Sequence, residues 1–259
     1  MMKRTASVLI ALAAGAGSAG AQPVPVEVTI QNLSPMNGAA LSPFTVAFHD
    51  GAWDAFDAGS AASQGVRLVA ELGDGSQYIS DFMAAQPQGV AGTVVATTNG
   101  FGPGIFLPNG SGSMVFDVDP AVNRYFSFGS MVVPSNDRFV GNDAGTAIEL
   151  FDAGGNFVGS TVVVLGSEIW DAGTEVDGHF GAAFIEGQDA MDHVDQGGVI
   201  ALNNDFSIYD GAPTPAGYDF VDLPNDNGGV VRISFRVIPA PSALALLGFA
   251  GAVAARRRR

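Results

Sequence analysis

The stretch Trp170-Asp171-Ala172-Gly173-Thr174-Glu175 sets two carboxylates four positions apart around a glycine. The apolar run before it, residues 157–165, reads as a strand, so Asp171 and Glu175 fall on a loop at a strand end, where a sheet can hold them still. Carboxylate oxygens on a tight, glycine-containing loop suit a hard cation, above all Ca²⁺. A second acidic loop, Pro134-Ser135-Asn136-Asp137-Arg138-Phe139-Val140-Gly141, follows Met131-Val132-Val133 in the same way. Asp137, Asp171 and Glu175 are therefore the candidate ligands of one Ca²⁺. The competing reading makes all three ordinary solvated turn residues in a chain that holds 26 acids.

The elements that would position these loops are strands. Val26 to Ile30, Phe44 to Phe48 and Val230 to Val237 alternate with period two. Further strands are expected at Val66 to Leu72, Thr93 to Thr98, Ser113 to Val118, Tyr125 to Val133, Ala147 to Phe151 and Phe157 to Leu165. One helix is expected over Gln77 to Ala85, with Ile79, Phe82 and Met83 at helical spacing and Ser76 as N-cap. Several strands separated by Gly, Asn and Asp turns predict an all-β chain, an antiparallel β-sandwich with one short helix and long acidic loops. Phe116, Phe126 and Phe128 are expected in its core.

Val176 to Gly228 is the least strand-like region. It holds ten of the 26 acids together with His179 and His193. No HExxH-type spacing accompanies either histidine, so a solvated loop is the better reading there. Asn225-Asp226-Asn227-Gly228-Gly229 lacks the later Glu of an EF-hand and reads as a turn before the last strand.

The two ends of the chain carry sorting signals. Lys3 and Arg4, an apolar stretch from Ser7 to Gly15 and Ala19-Gly20-Ala21 make residues 1–21 a secretory signal peptide. The chain has no Cys, so export brings no disulfide framework. At the other end Pro239-Ala240-Pro241 precedes an uncharged run to Ala255 and then Arg256 to Arg259. As a helix, Val237 to Ala255 would be about 28 Å long, close to one bilayer core, with the arginines held on the cytoplasmic side. Without these ends the chain has five basic residues, none of them Lys, against 26 acids, a net charge of −21. Such a surface repels nucleic acid and anionic lipid and attracts divalent cations.

Several stretches together resemble the spondin N-terminal domain. They are Leu33-Ser34-Pro35, His49, Ala58 to Ser63, Leu68-Val69-Ala70-Glu71-Leu72-Gly73, Tyr125 to Pro134, Ser135 to Gly141, and Asp171-Ala172-Gly173-Thr174-Glu175. The resemblance spans roughly residues 25 to 237 and implies a C2-like sandwich in a secreted matrix or cell-surface protein. Two positions depart from it: Arg138 stands where the family often has an aromatic, and Glu175 where it usually has Asp. The C-terminal end, residues 238–259, resembles a PEP-CTERM sorting tail, with Pro-Ala-Pro in place of Pro-Glu-Pro. That resemblance implies transient membrane anchoring and removal by an exosortase-type protease; the alternative is a permanent anchor.

The organisation expected is therefore a signal peptide (1–21), a spondin-like domain (22–237) and a sorting tail with one membrane span (238–259). No Cys nucleophile, G-x-S-x-G elbow, P-loop or G-x-G-x-x-G after a strand is present, so no enzyme is expected. The reading is an exported adhesion or binding module with a Ca²⁺ site, whose partner is an extracellular matrix or surface polysaccharide or protein, and not nucleic acid. The alternatives are an exported hydrolase of extracellular polysaccharide and a purely structural matrix component.

Overall fold

Fourteen strands and two helices make up the computed structural model, which describes residues 22–239. In chain order they are β1 (Val24–Asn32), β2 (Ala40–Leu41), β3 (Phe44–His49), α1 (Gln64–Leu72), α2 (Ser76–Ala85), β4 (Val90–Val94), β5 (Thr98–Phe101) and β6 (Ile105–Val118). Then come β7 (Tyr125–Val133), β8 (Arg138–Gly141), β9 (Val162–Leu165), β10 (Trp170–Asp171), β11 (Ala201–Leu202), β12 (Ala212–Pro213), β13 (Asp219–Phe220) and β14 (Gly229–Val237). Residues 1–21 and 240–259, with the expected signal peptide and nearly all of the expected sorting tail, lie outside the described part. Among the described residues no helix is long and apolar enough to cross a membrane.

All named strand pairs are antiparallel, and apart from the β12–β13 hairpin they form one curled sheet. One half runs β5–β6–β1–β14–β9, the other β4–β3–β7–β8–β10–β11. The short β2 joins them, pairing Leu41 with Phe106 of β6 and with Val132 of β7. The halves face each other across aromatic contacts: Phe48 to Phe116 at 5.1 Å and Phe126 to Phe235 at 4.8 Å between ring centroids. Period two does the sorting. Val26, Val28 and Ile30 of β1 are fully buried, while Glu27, Thr29 and Gln31 between them are partly open. Phe116, Phe126 and Phe128 lie in this core as expected.

β3 and β7 are buried at nearly every position, because α1 and α2 cover their outer face. Val66, Val69 and Ala70 of α1 and Tyr78 and Phe82 of α2 pack there against Phe139 and Ala47.

Five expectations need correction. Val66 to Leu72 is a helix, not a strand: the Ser63 side chain accepts from the Val66 N–H, Gly73 closes the last turn at φ +64°, and Arg67 pairs with Glu71 one turn on. The spacing 66, 69, 70 suits a helix face, and that face wins over the β-branched composition because it covers the sheet. Ser76 is the first residue of α2 rather than its cap, and its N–H is taken by Asp74. Ala147 to Phe151 makes only the isolated bridges Tyr125↔Glu149 and Phe151↔Phe157, and of 157–165 only the last four residues form a strand. Thr93 to Thr98 divides between β4 and β5.

Candidate metal centre

The loop from β7 to β8 carries Asp137, and Ser135 shapes it by accepting from the Arg138 N–H and donating to the Val132 carbonyl. β10 pairs with β8, setting Asp171 opposite Arg138. The chain turns sharply at Gly173, at φ +66°, where an added Cβ would stand 2.6 Å from the Val199 backbone. Backbone bonds from Gly198 to Gly173 and from Gln196 to Thr174 clamp this turn against 194–198. One loop therefore aims its amides at the other: the Thr174 N–H, Thr174 hydroxyl and Glu175 N–H all donate to Asp137 Oδ2, at 2.7, 3.1 and 3.0 Å.

Asp137 and Asp171 come together, and Asp177 joins them. These three carboxylates each offer an oxygen within 4.8 Å of the others, and Glu175 stands outside that triad. Arg138, fully buried, lies among them: its guanidinium donates to Asp171 Oδ2 and, at 2.7 Å, to Asp177 Oδ2, and its Cζ sits 5.9 Å above the Phe206 ring. The remaining demand of Asp171 is met by the Gly173 N–H and the Asn203 amide. The Tyr209 hydroxyl lies 2.7 Å from Asn136 Oδ1 and 3.0 Å from Asp177 Oδ1.

Glu175 faces different company. Its side chain is 1% exposed, and its nearest basic neighbour is His193, whose Nδ1 is 3.9 Å from Oε1. Burial, then the charge of Glu71, pushes its carboxyl up to about 8. Burial, then Asp171, pushes Asp137 up to about 6. Among the described residues, four buried carboxylate oxygens accept no hydrogen bond: Asp137 Oδ1, both oxygens of Glu175, and Glu71 Oε1, which lies 2.7 Å from Arg67 Nε without alignment for a bond. An all-oxygen set with unmet electrostatic demand is what a hard cation requires, so these residues fit Ca²⁺.

Glu71 and Asp177 were missed as candidates. Glu71 belongs to α1, which the sequence suggested was a strand; Asp177 was one acid among many in a long loop. The histidines make loop contacts: His179 Nε2 is 2.7 Å from the Ile208 carbonyl oxygen, and His193 Nδ1 is 3.2 Å from that of Met191. Asp226 and Asn227 form the turn before β14.

Compared with known proteins, residues 31–188 match the family model Spondin_N. That span holds Glu71, Asp137, Asp171, Glu175 and Asp177. No curated protein matches the chain.

Proposed function

The chain belongs to the spondin N-terminal family, and from that premise we propose that it is an exported binding module of the cell surface or extracellular matrix, built around one Ca²⁺ among Asp137, Asp171 and Glu175. Membership of the family supports an extracellular binding or adhesion role. The observation that carries the metal is the set of buried oxygens that accept no hydrogen bond, Asp137 Oδ1 and both oxygens of Glu175. In this reading Asp137 Oδ1 and Glu175 ligate the ion directly. Asp171, whose oxygens already serve Gly173, Asn203 and Arg138, holds the turn and adds charge. Ca²⁺ suits the site better than Mg²⁺, since loop carboxylates and carbonyls tolerate irregular, high coordination.

Polysaccharide hydrolysis draws no support from the paired acids. A glycosidase presents its carboxyl pair to the sugar, whereas Glu71 and Glu175 are 5% and 1% exposed. Delivery belongs to the proposal too: the signal peptide exports the domain, residues 238–259 hold it briefly in the membrane, and an exosortase-type protease releases it near Pro239. Intact mass of the protein from its own host decides this last step; a product still ending at Arg259 means a permanent anchor.

Thermal melts in EDTA and in Ca²⁺ test the metal. Binding to the folded state alone adds about 2.7 kcal/mol at a hundredfold excess over Kd. Asp137→Asn and Glu175→Gln should abolish that gain, and Asp171→Asn should only reduce it. An equal calcium shift in all four proteins would mean diffuse screening of the acidic surface instead of a site.

A further inference from the structure

β9 ends its half of the sheet. It pairs with β14 on one side, and no strand among the described residues pairs with its other edge. Along that edge a cleft of about 470 Å³ opens toward β8, β10 and β11 of the opposite half. Its apolar lining includes Phe128, Ile148, Val162, Val164 and Leu202, and the Trp170 indole forms part of one wall, tethered by its N–H to the Gly141 carbonyl at 3.2 Å. Two acids, Asp143 and Glu168, line the cleft and no basic residue does. Each acid keeps one oxygen on the protein, Asp143 on the Ala58 N–H and Glu168 on the Leu165 N–H.

We propose that this cleft binds an extended, basic segment of a partner protein, which adds as a short strand to β9. Three features point to that chemistry. The edge of β9 from Val162 to Val164 offers main-chain groups to a short strand, the Leu165 N–H being held by Glu168. The apolar lining takes every second side chain of an extended peptide. The acids take lysine or arginine on the alternate positions, and the −21 charge of the chain without its ends draws a basic segment in. The same charge opposes β9-to-β9 pairing between two copies. The inference deepens the reading as a binding module by naming a partner class, and it rests on that reading only for the partner being external.

The probe is the peptide acetyl-Lys-Val-Lys-Val-Lys-amide, titrated into the protein and followed by amide chemical shifts. Saturable binding with shifts along 162–165 is expected. Affinity should fall at least about tenfold for the Glu-for-Lys peptide, for a copy N-methylated at alternate amides, and for the protein variant Ala147→Arg. Ala147 is an exposed residue of the lining, so that variant leaves the core intact. The pair Asp143→Asn with Glu168→Gln removes the charges while keeping both acceptor oxygens, and should weaken binding by a similar factor. No saturable binding, equal binding of the N-methylated peptide, or indifference to Ala147→Arg would overturn the proposal, as would a β-glucan oligomer occupying the cleft instead. A matrix pull-down that survives Ala147→Arg sinks this inference and leaves the binding-module reading standing. Loss of the pull-down alone, with peptide binding intact, does the reverse.

Discussion

Two groups of acids meet at Asp137, and the fold treats them differently. Asp171 and Asp177 share the guanidinium of Arg138, a cation that the chain supplies itself. In the other group Glu175 keeps two buried oxygens that accept no hydrogen bond, while Glu71 shares one oxygen with Arg67 at 2.7 Å. The Asp171, Glu71 and Glu175 side chains are mostly removed from water and carry a desolvation cost, while that of Asp177 is 33% exposed. The difference teaches that the acids are not a diffuse acidic surface. One group is neutralised internally; in the proposed reading the other receives its cation from outside.

Removing the internal cation should have the largest effect. Arg138→Met leaves Asp171 and Asp177 as uncompensated acids, and breaking a buried pair this way costs about 3–5 kcal/mol. Urea midpoints measure it. A loss below about 1 kcal/mol, the range of exposed ion pairs, would show that the two acids are solvated after all and would erase the comparison.

The unpartnered group should reveal itself through pH. Glu175 is raised to about 8 from 4.5, so in EDTA the protonated carboxyl favours the folded state. That stability is full below about pH 4.5 and is lost as pH rises through about 8, on the order of 3 kcal/mol. Glu175→Gln should flatten the slope, and Ca²⁺ should offset the loss, because the ion binds the deprotonated form. An unchanged slope in Glu175→Gln would mean that another group titrates there.

His49 sharpens the contrast, being a buried titratable group with partners on both nitrogens. Its Nε2 is 3.0 Å from Ser127 Oγ and its Nδ1 accepts from the Gly51 N–H at 3.1 Å. Burial lowers it to about 4 from 6.5. Its contribution is therefore full above about pH 6.5 and is lost as pH falls toward about 4, on the order of 2 kcal/mol and opposite in direction to Glu175. Comparing acid unfolding of the wild type with that of His49→Asn isolates it; equal pH slopes in that window would assign the acid transition to the carboxylates.

The smallest effect concerns the helix that delivers Glu71. Ser63→Ala removes the N-cap of α1 and should cost about 1 kcal/mol. Urea midpoints in EDTA measure it; an unchanged midpoint would mean that the cap adds nothing to the stability of α1.

How much of this was legible beforehand differs by element. β7 was readable to its end residues, because a strand covered on both faces is mostly apolar along its length, here Tyr125, Phe126, Phe128 and Met131 to Val133, with buried Ser127 and Ser130 between them. α1 was not, although Ser63 and Gly73 bracketed it; the valines at 66 and 69 carried the strand signal, while their helical spacing became decisive only once a sheet lay beneath them. Asp137 lies on the short β7–β8 loop that the sequence indicated, whereas Asp171, expected on a loop after 157–165, is the second residue of β10 and is held by pairing with Arg138. Glu71 and Asp177 were invisible, one through the misread helix and the other because sequence does not tell which acid of a long loop turns inward. The role of Arg138 was hidden too, since only pairing between β8 and β10 sets it beside Asp171.

The central claim is tested most directly by anomalous diffraction from crystals grown with Ca²⁺. The account predicts one calcium peak, about 2.3–2.6 Å from Asp137 Oδ1 and from Glu175, with Arg138 still bridging Asp171 and Asp177. No peak at those oxygens, or a calcium seated between Asp171 and Asp177 with Arg138 displaced, would contradict it.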